Sequence, residues 1–142
     1  MTKTLTIALN DIENQVFAAA MINFTRASIE FLPEIQNDLG MMLKATKAVV
    51  RAEKFRLMFE EKAESIELKA NEAAFLVSTL QLFEVTTQQK LAKIAEEGDV
   101  RMLVGGLQAL AVAQKIIATI CEGGERLAQE EEAEAEALRK AA

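Results

Sequence analysis

The sequence predicts an all-α fold: an elongated helical bundle, built as a long αα-hairpin with a shorter N-terminal helix and coiled-coil-like packing. Three observations lead there. The 142 residues contain no Trp, Tyr or His and are rich in Ala, Glu, Leu, Lys and Gln, a composition of strong helix formers. Residues 41–97 hold neither Gly nor Pro. Residues 102–121, MLVGGLQALAVAQKIIATIC, are the most apolar stretch and carry a single charge, Lys115. The length suits one domain, 1–142.

The opening residues 1–9 alternate Thr with Leu5, Ile7 and Leu9. Alternation is a strand signal, but a lone strand has no visible partner, so an N-terminal arm is expected. Asn10 and Glu13 have the spacing of a capping box. From there Ile12, Val16, Ala19, Ala20, Phe24, Ala27 and Phe31 recur at steps of three and four, the apolar face of a helix over 10–31. Pro33 disfavours αR at Leu32 and suits a first helical turn. Asn37, Asp38 and Gly40 then make a second weak break, which places a joint at 32–40.

A long helix then spans 33–97. Its Gly- and Pro-free part, 41–97, would run about 85 Å if unbroken. Either this rod is real or it breaks, and the best internal breakpoint is 84–90, where Val85, Thr86 and Thr87 lower helix propensity. Ala63, Ile66, Ala70, Ala73, Val77 and Leu80 alternate steps of three and four as a heptad seam, which Thr87, Leu91 and Ile94 continue. Phe55, Phe59, Phe75 and Phe83 widen the apolar face toward a bundle. Gly98 then fits a helix C-terminus and Asp99 an N-cap. The short connection makes the helices on either side an antiparallel hairpin. The final helix, 99–140, is a core helix with an acidic tail. Its positive end, Arg139 and Lys140, suits the helix dipole.

The apolar run 102–121 reaches the length of a bilayer span. Its polar residues, however, form one stripe: Arg101, Gln108, Lys115 and Glu122 are each seven apart. That pattern favours a helix buried on three sides with one line to water. Gly105, Ala109 and Ala113, four apart, let a second helix approach closely. Two other helices cannot cover three sides of this one, and uncovered apolar area of that size marks an interface. The expected contact residues are Leu103, Leu107, Leu110 and Ile117 with Gly105, Ala109 and Ala113. Lys44, Lys47, Arg51 and Lys54 form a basic stripe at helical spacing, and Glu60, Glu64 and Glu67 an acidic one downstream. Pairing of the acidic tail with Lys44, Lys47, Arg51 and Lys54 of another copy would keep it from running alongside the acidic stripe of its own chain; the alternative is a solvated or frayed tail.

Much chemistry is missing. Without histidine there is no Ser–His–Asp triad, no His-based acid–base pair and no histidine metal ligand. A ferritin-like di-iron site needs Glu-x-x-His, and zinc is poorly served by one Cys. No phosphate-binding or dinucleotide glycine motif occurs. No catalytic residue, metal or cofactor is expected. Cys121 reads as a buried, inert thiol, and one cysteine fits a reducing compartment. A net charge of −6 argues against nucleic acid as a partner. The start, MTKTLTIALNDIE, lacks the apolar stretch and cleavage site of a signal peptide, so the protein is expected in the cytoplasm. The resulting functional reading is a non-enzymatic, self-assembling structural, scaffold or adaptor protein that works through helix–helix packing, with its own copies or a helical partner. The alternatives are insertion of 102–121 into a membrane, as in a pore-forming component, and a chaperone- or inhibitor-type module gripping one partner.

Overall fold

The computed structural model describes residues 4–141. In chain order these form strand β1 (Leu5–Ala8), helix α1 (Asp11–Ile35), helix α2 (Leu39–Glu60), strand β2 (Ser65–Leu68), helix α3 (Ala70–Glu97) and helix α4 (Val100–Ala141). The architecture is an all-α bundle of two hairpins, α1 against α2 and α3 against α4, and α1 packs on all three other helices. It carries four helices rather than three, because the long helix expected over 33–97 is two.

The helix caps follow from local chemistry. The Asn10 side chain accepts from Glu13 N–H at 2.8 Å and Asn10 N–H donates to the Glu13 carboxylate at 3.0 Å, the reciprocal capping box. Asp38 accepts from Met41 N–H at 3.1 Å and Asp99 from Met102 N–H at 3.2 Å. Gly98 takes the left-handed conformation, φ 76°, and its N–H closes on the Ile94 carbonyl at 3.0 Å. A residue with a Cβ is disfavoured there, which is why the hairpin turns at this glycine.

Helix α1 differs from the expected 10–31. It runs through Pro33 to Ile35, and Leu32 stays helical. A proline in the last turn forfeits one backbone bond but leaves little helix beyond it to disrupt. The joint shrinks to 36–38, within the 32–40 segment.

The break in the expected 33–97 helix falls at 61–69, not at 84–90. Helix α2 ends at paired acids, Glu60 and Glu61, which the negative end of the helix dipole disfavours. Lys62 then adopts φ 59°, the only positive-φ residue other than glycine among the described ones. The next residues, Ser65–Leu68, alternate polar and apolar and form β2. The expected seam therefore fails at Ala63 and Ile66: Ala63 lies in the loop and Ile66 on the strand. Val85, Thr86 and Thr87 remain helical within α3. Their propensity cost is only about 0.5 kcal/mol each, and Thr86 gains a hydrogen bond from the Asn23 side chain at 3.3 Å.

The segment 1–9 is likewise not a free arm over its described part. β1 pairs antiparallel with β2, Leu5 opposite Leu68 and Ile7 opposite Ile66; residues 1–3 of the arm lie outside the described residues. Leu5, Ile7, Ile66 and Leu68 face inward and are buried, while Thr6, Ala8, Ser65 and Glu67 face out. A two-stranded sheet is marginal alone. Here its inner face joins a core shared with Phe17, Met21, Phe59, Leu76, Leu80, Ile116 and Ile120. Phe17 stacks on Phe59 with ring centroids 4.5 Å apart, joining α1 to α2. Such a pair adds about 0.5–1.5 kcal/mol beyond its buried area.

Asn14 closes the base of the bundle. Its side-chain amide donates to the Ala63 carbonyl at 2.8 Å and the Asn10 carbonyl at 3.1 Å. This ties the first turn of α1 to the loop that interrupts the expected rod.

Candidate interaction surfaces

The outcome for the apolar run turns on α4. The residues of α4 that face the core are Gly106, Ala109, Ala113, Ile116, Ile120, Gly123 and Leu127, at steps of three and four. Burial on three sides is not what the structure holds. Only 17% of the most apolar eighteen-residue window is buried. The rest of the run's surface divides in two. From Gln108 onward its exposed positions are Ala111, Gln114, Lys115, Ala118, Thr119, Cys121 and Glu122, small or polar. Over the first two turns they include the large apolar Val100, Met102, Val104 and Leu107, with Arg101 and Gly105 beside them. The run is hydropathic because a buried isoleucine seam is flanked by exposed alanine. The stripe Arg101, Gln108, Lys115 and Glu122 is exposed, as its spacing predicted.

The expected contact residues separate accordingly. Ala113 is completely buried in the bundle's own core and is unavailable to a second molecule. Leu103, Leu110 and Ile117 are half-buried, and Ile117 packs against the core. Leu107 is exposed. Gly105 is open, since a Cβ there would meet nothing within 4 Å. Ala109 lines a groove of about 570 Å³ between α1, α3 and α4, with Ile12, Val16, Ala19, Phe83 and Val112. The close approaches expected at Gly105 occur one residue later and at the far glycine pair. A Cβ on Gly106 would lie 2.5 Å from Leu91, and one on Gly123 2.5 Å from Leu5.

The basic stripe is a second, separate surface. Lys44, Lys47, Arg51 and Lys54 are all exposed on α2, which packs on α1, whereas α4 packs on α3. The Arg51 guanidinium sits 5.5 Å from the centre of the Phe75 ring, a cation–π contact that fixes its direction. Lys47, Arg51 and Lys54 rim a groove of about 470 Å³ whose remaining walls are Val50, Phe55, Met58 and Glu72. None of Lys44, Lys47 and Lys54 is in an ion pair among the described residues.

The expected acidic stripe is dispersed: Glu60 ends α2, Glu64 lies in the loop and Glu67 is on β2. Arg56 instead organises the acids of α2. It bonds Glu53 at 2.7 Å and both Glu60 oxygens at 2.9 Å. The hydrogen bond from Arg56 is the main reason the Glu53 carboxyl is held below its ordinary value, against a smaller opposing effect of burial. Cys121 is exposed rather than buried. Among the described residues, no three Cys, Asp or Glu side chains converge as a metal would require.

The signal missed most completely is the thin packing of the α1–α2 hairpin away from the sheet. Between Met21 and Ala52 the only buried residue is Ile35. Ile29, Phe31, Leu39, Met41, Leu43 and Val50 are exposed on that half of the hairpin. Of these the sequence places only Phe31 on an apolar helix face, and whether a third helix covers any of them depends on where α3 and α4 pass. No protein-family model, curated protein or solved structure matches the chain.

Proposed function

We propose that this protein is a non-enzymatic helical assembly protein, a structural subunit, scaffold or adaptor that packs against further copies of itself. The observation that carries this reading is the open apolar surface on the first turns of α4. Val100, Met102, Val104 and Leu107 project from the bundle where α4 leaves the turn at Gly98. Gly105 beside them offers a bare backbone, and the groove at Ala109 continues the surface onto α1. Clustered large aliphatics on a soluble bundle mark a contact surface more often than isolated ones do. Cytoplasmic residence belongs to the same reading, since the exposed Cys121 stays a thiol in a reducing compartment.

The test is molar mass by light scattering across a concentration series. Wild type is expected above monomer mass. Val104→Glu with Leu107→Glu is expected to move it toward monomer while circular dichroism stays helical, because both side chains are exposed. A wild type that remains monomeric at every concentration would refute self-assembly and leave docking to a different helical partner, in the manner of a chaperone or inhibitor.

A second reading has one observation in its favour. Helix α4 is the one described helix long and apolar enough to cross a membrane. Insertion would require α4 to leave α3, exposing Leu76 and Leu80, and to carry Lys115 into the bilayer, which is costly. Dye release from liposomes, lost on Leu107→Lys, would favour it; a protein that ignores lipid would not.

A further inference from the structure

We propose that the acidic C-terminal part of α4 seats in the basic groove of α2 on a second copy of the chain. The inference rests on the self-assembly reading and names the elements that meet.

Two features of this structure complement each other. From Ala128 on, α4 runs exposed past the start of α3. Leu127, Ala128 and Glu131 stand beside Ala70, the first residue of α3, and every described residue from 128 on is exposed. The helix continues to Ala141, about 20 Å of rod at 1.5 Å per residue. Glu130, Glu131, Glu132, Glu134 and Glu136 fall in this stretch with no base before Arg139. The groove on α2 has the opposite character: Lys47, Arg51 and Lys54 along the rim, apolar Val50 and Met58 within. Its one acid, Glu72, is already engaged with the backbone N–H of Lys69 at 2.9 Å.

The spacing also matches. Lys47, Arg51 and Lys54 lie four and three residues apart, along one face of α2. On the tail, Glu131, Ala135 and Leu138 lie four and three apart, along one face of α4. Leu138 is 73% exposed. Laid along the groove, the tail places Glu131 at the basic rim, alanine at the close approach and Leu138 against Val50 or Met58. Glu132 flanks the same face and reaches the second lysine.

The tail cannot make this contact within its own chain. α4 is one continuous helix of 42 residues, and it carries 128–141 beyond the start of α3 instead of back along α2. A second copy has no such restriction. Reciprocal exchange gives a closed dimer, and one-way exchange gives an open chain of copies.

The test uses full-length protein and charge reversal on each side. The groove variant is Lys47→Glu with Lys54→Glu, and the tail variant is Glu131→Lys with Glu132→Lys. Arg51 is left in place because it packs on Phe75. Each variant alone is expected to associate about tenfold more weakly or worse, since like charges then face each other. Mixing the two variants one to one is expected to restore the wild-type mass, because each tail again finds an opposite groove. Thermal midpoints of both variants near wild type confirm that the fold is kept. A wild-type oligomer whose mass ignores both reversals would overturn tail docking while leaving assembly through Val104 and Leu107 intact. A strictly monomeric wild type would overturn both. Failure of the mixture to recover, with each variant dissociated and folded, would also overturn it.

Discussion

Leu5 of β1 packs onto the bare backbone of Gly123 in α4. A Cβ on that glycine would lie 2.5 Å and 3.0 Å from the two Leu5 methyls and 3.3 Å from Cγ. This contact anchors the strand to the last helix and explains why the second glycine pair is tolerated inside a helix: one member makes room for a neighbour. The other does not, since a Cβ on Gly124 would meet nothing within 4 Å.

Opposite signs are therefore expected within one dipeptide. Gly124→Ala should stabilise the fold by about 0.5–1 kcal/mol, the helix-propensity gain. Gly123→Ala receives the same gain but forces Leu5 aside in a closed core, an overpacking cost of ~1–3 kcal/mol. Urea unfolding of the two variants should place their midpoints on either side of wild type. Equal shifts would mean that Leu5 moves away freely.

Asn14 offers a test of the join between α1 and the loop before β2. Its amide nitrogen faces two carbonyls, Ala63 and Asn10, and its Oδ1 is buried without a partner. Asn14→Asp would direct a carboxylate at those carbonyls and cost ~3 kcal/mol at neutral pH. In that variant the folded-state carboxyl pKa is raised, because burial and the carbonyls oppose the charged form. The folded state then binds the proton more tightly than the unfolded one, so the deficit shrinks as pH falls. Thermal midpoints across pH, against wild type, check both sign and slope.

The aromatic core is expected to depend most on Phe59, which is 1% exposed and stacks on both Phe17 and Phe55. Phe59→Ala should cost ~3–5 kcal/mol. The same truncation at Phe31, exposed on α1, should change stability by less than about 0.5 kcal/mol. If Phe31 lies in an assembly contact, its truncation would lower the mass in solution instead.

Glu53 and Arg56 predict a modest acid dependence. Because Arg56 holds the Glu53 carboxyl below its ordinary value of 4.5, the pair's contribution is present above that value and is lost as pH falls through the lower, folded-state value. The stability difference between wild type and Glu53→Gln should be largest at neutral pH and vanish on acidification. The effect is small because the Glu53 side chain is 40% exposed and screened by solvent. A difference independent of pH would show that the loss on substitution is not ionic.

Each part of the fold legible in the sequence was encoded by neighbours in the chain. The capping box at Asn10 and Glu13, the stop at Gly98, the cap at Asp99 and the long helical run after it need only residues a few positions apart, and the structure holds all of them. The seam of α4 was nearly legible: Ala109 and Ala113 belong to it, but a strict step of four placed its first member at Gly105 instead of Gly106, one residue out of phase. Phase depends on which side chain, here Leu91, arrives from the facing helix.

The rest required contacts between distant segments. Ser65–Leu68 carries strand alternation inside a strongly helical stretch, and Leu5–Ala8 carries the same alternation sixty residues earlier. Neither can form a ladder alone, and their pairing, Leu5 to Leu68 and Ile7 to Ile66, decided where the long helix breaks. Tertiary structure also decided how much of 102–121 is covered. By itself the sequence determined that this run is a helix with a polar stripe and small residues four apart, because periodicity is local. Only the packed bundle decided that α3 and α1 cover one side and leave Met102, Val104 and Leu107 open, because a helix is buried by its neighbours and not by its own composition.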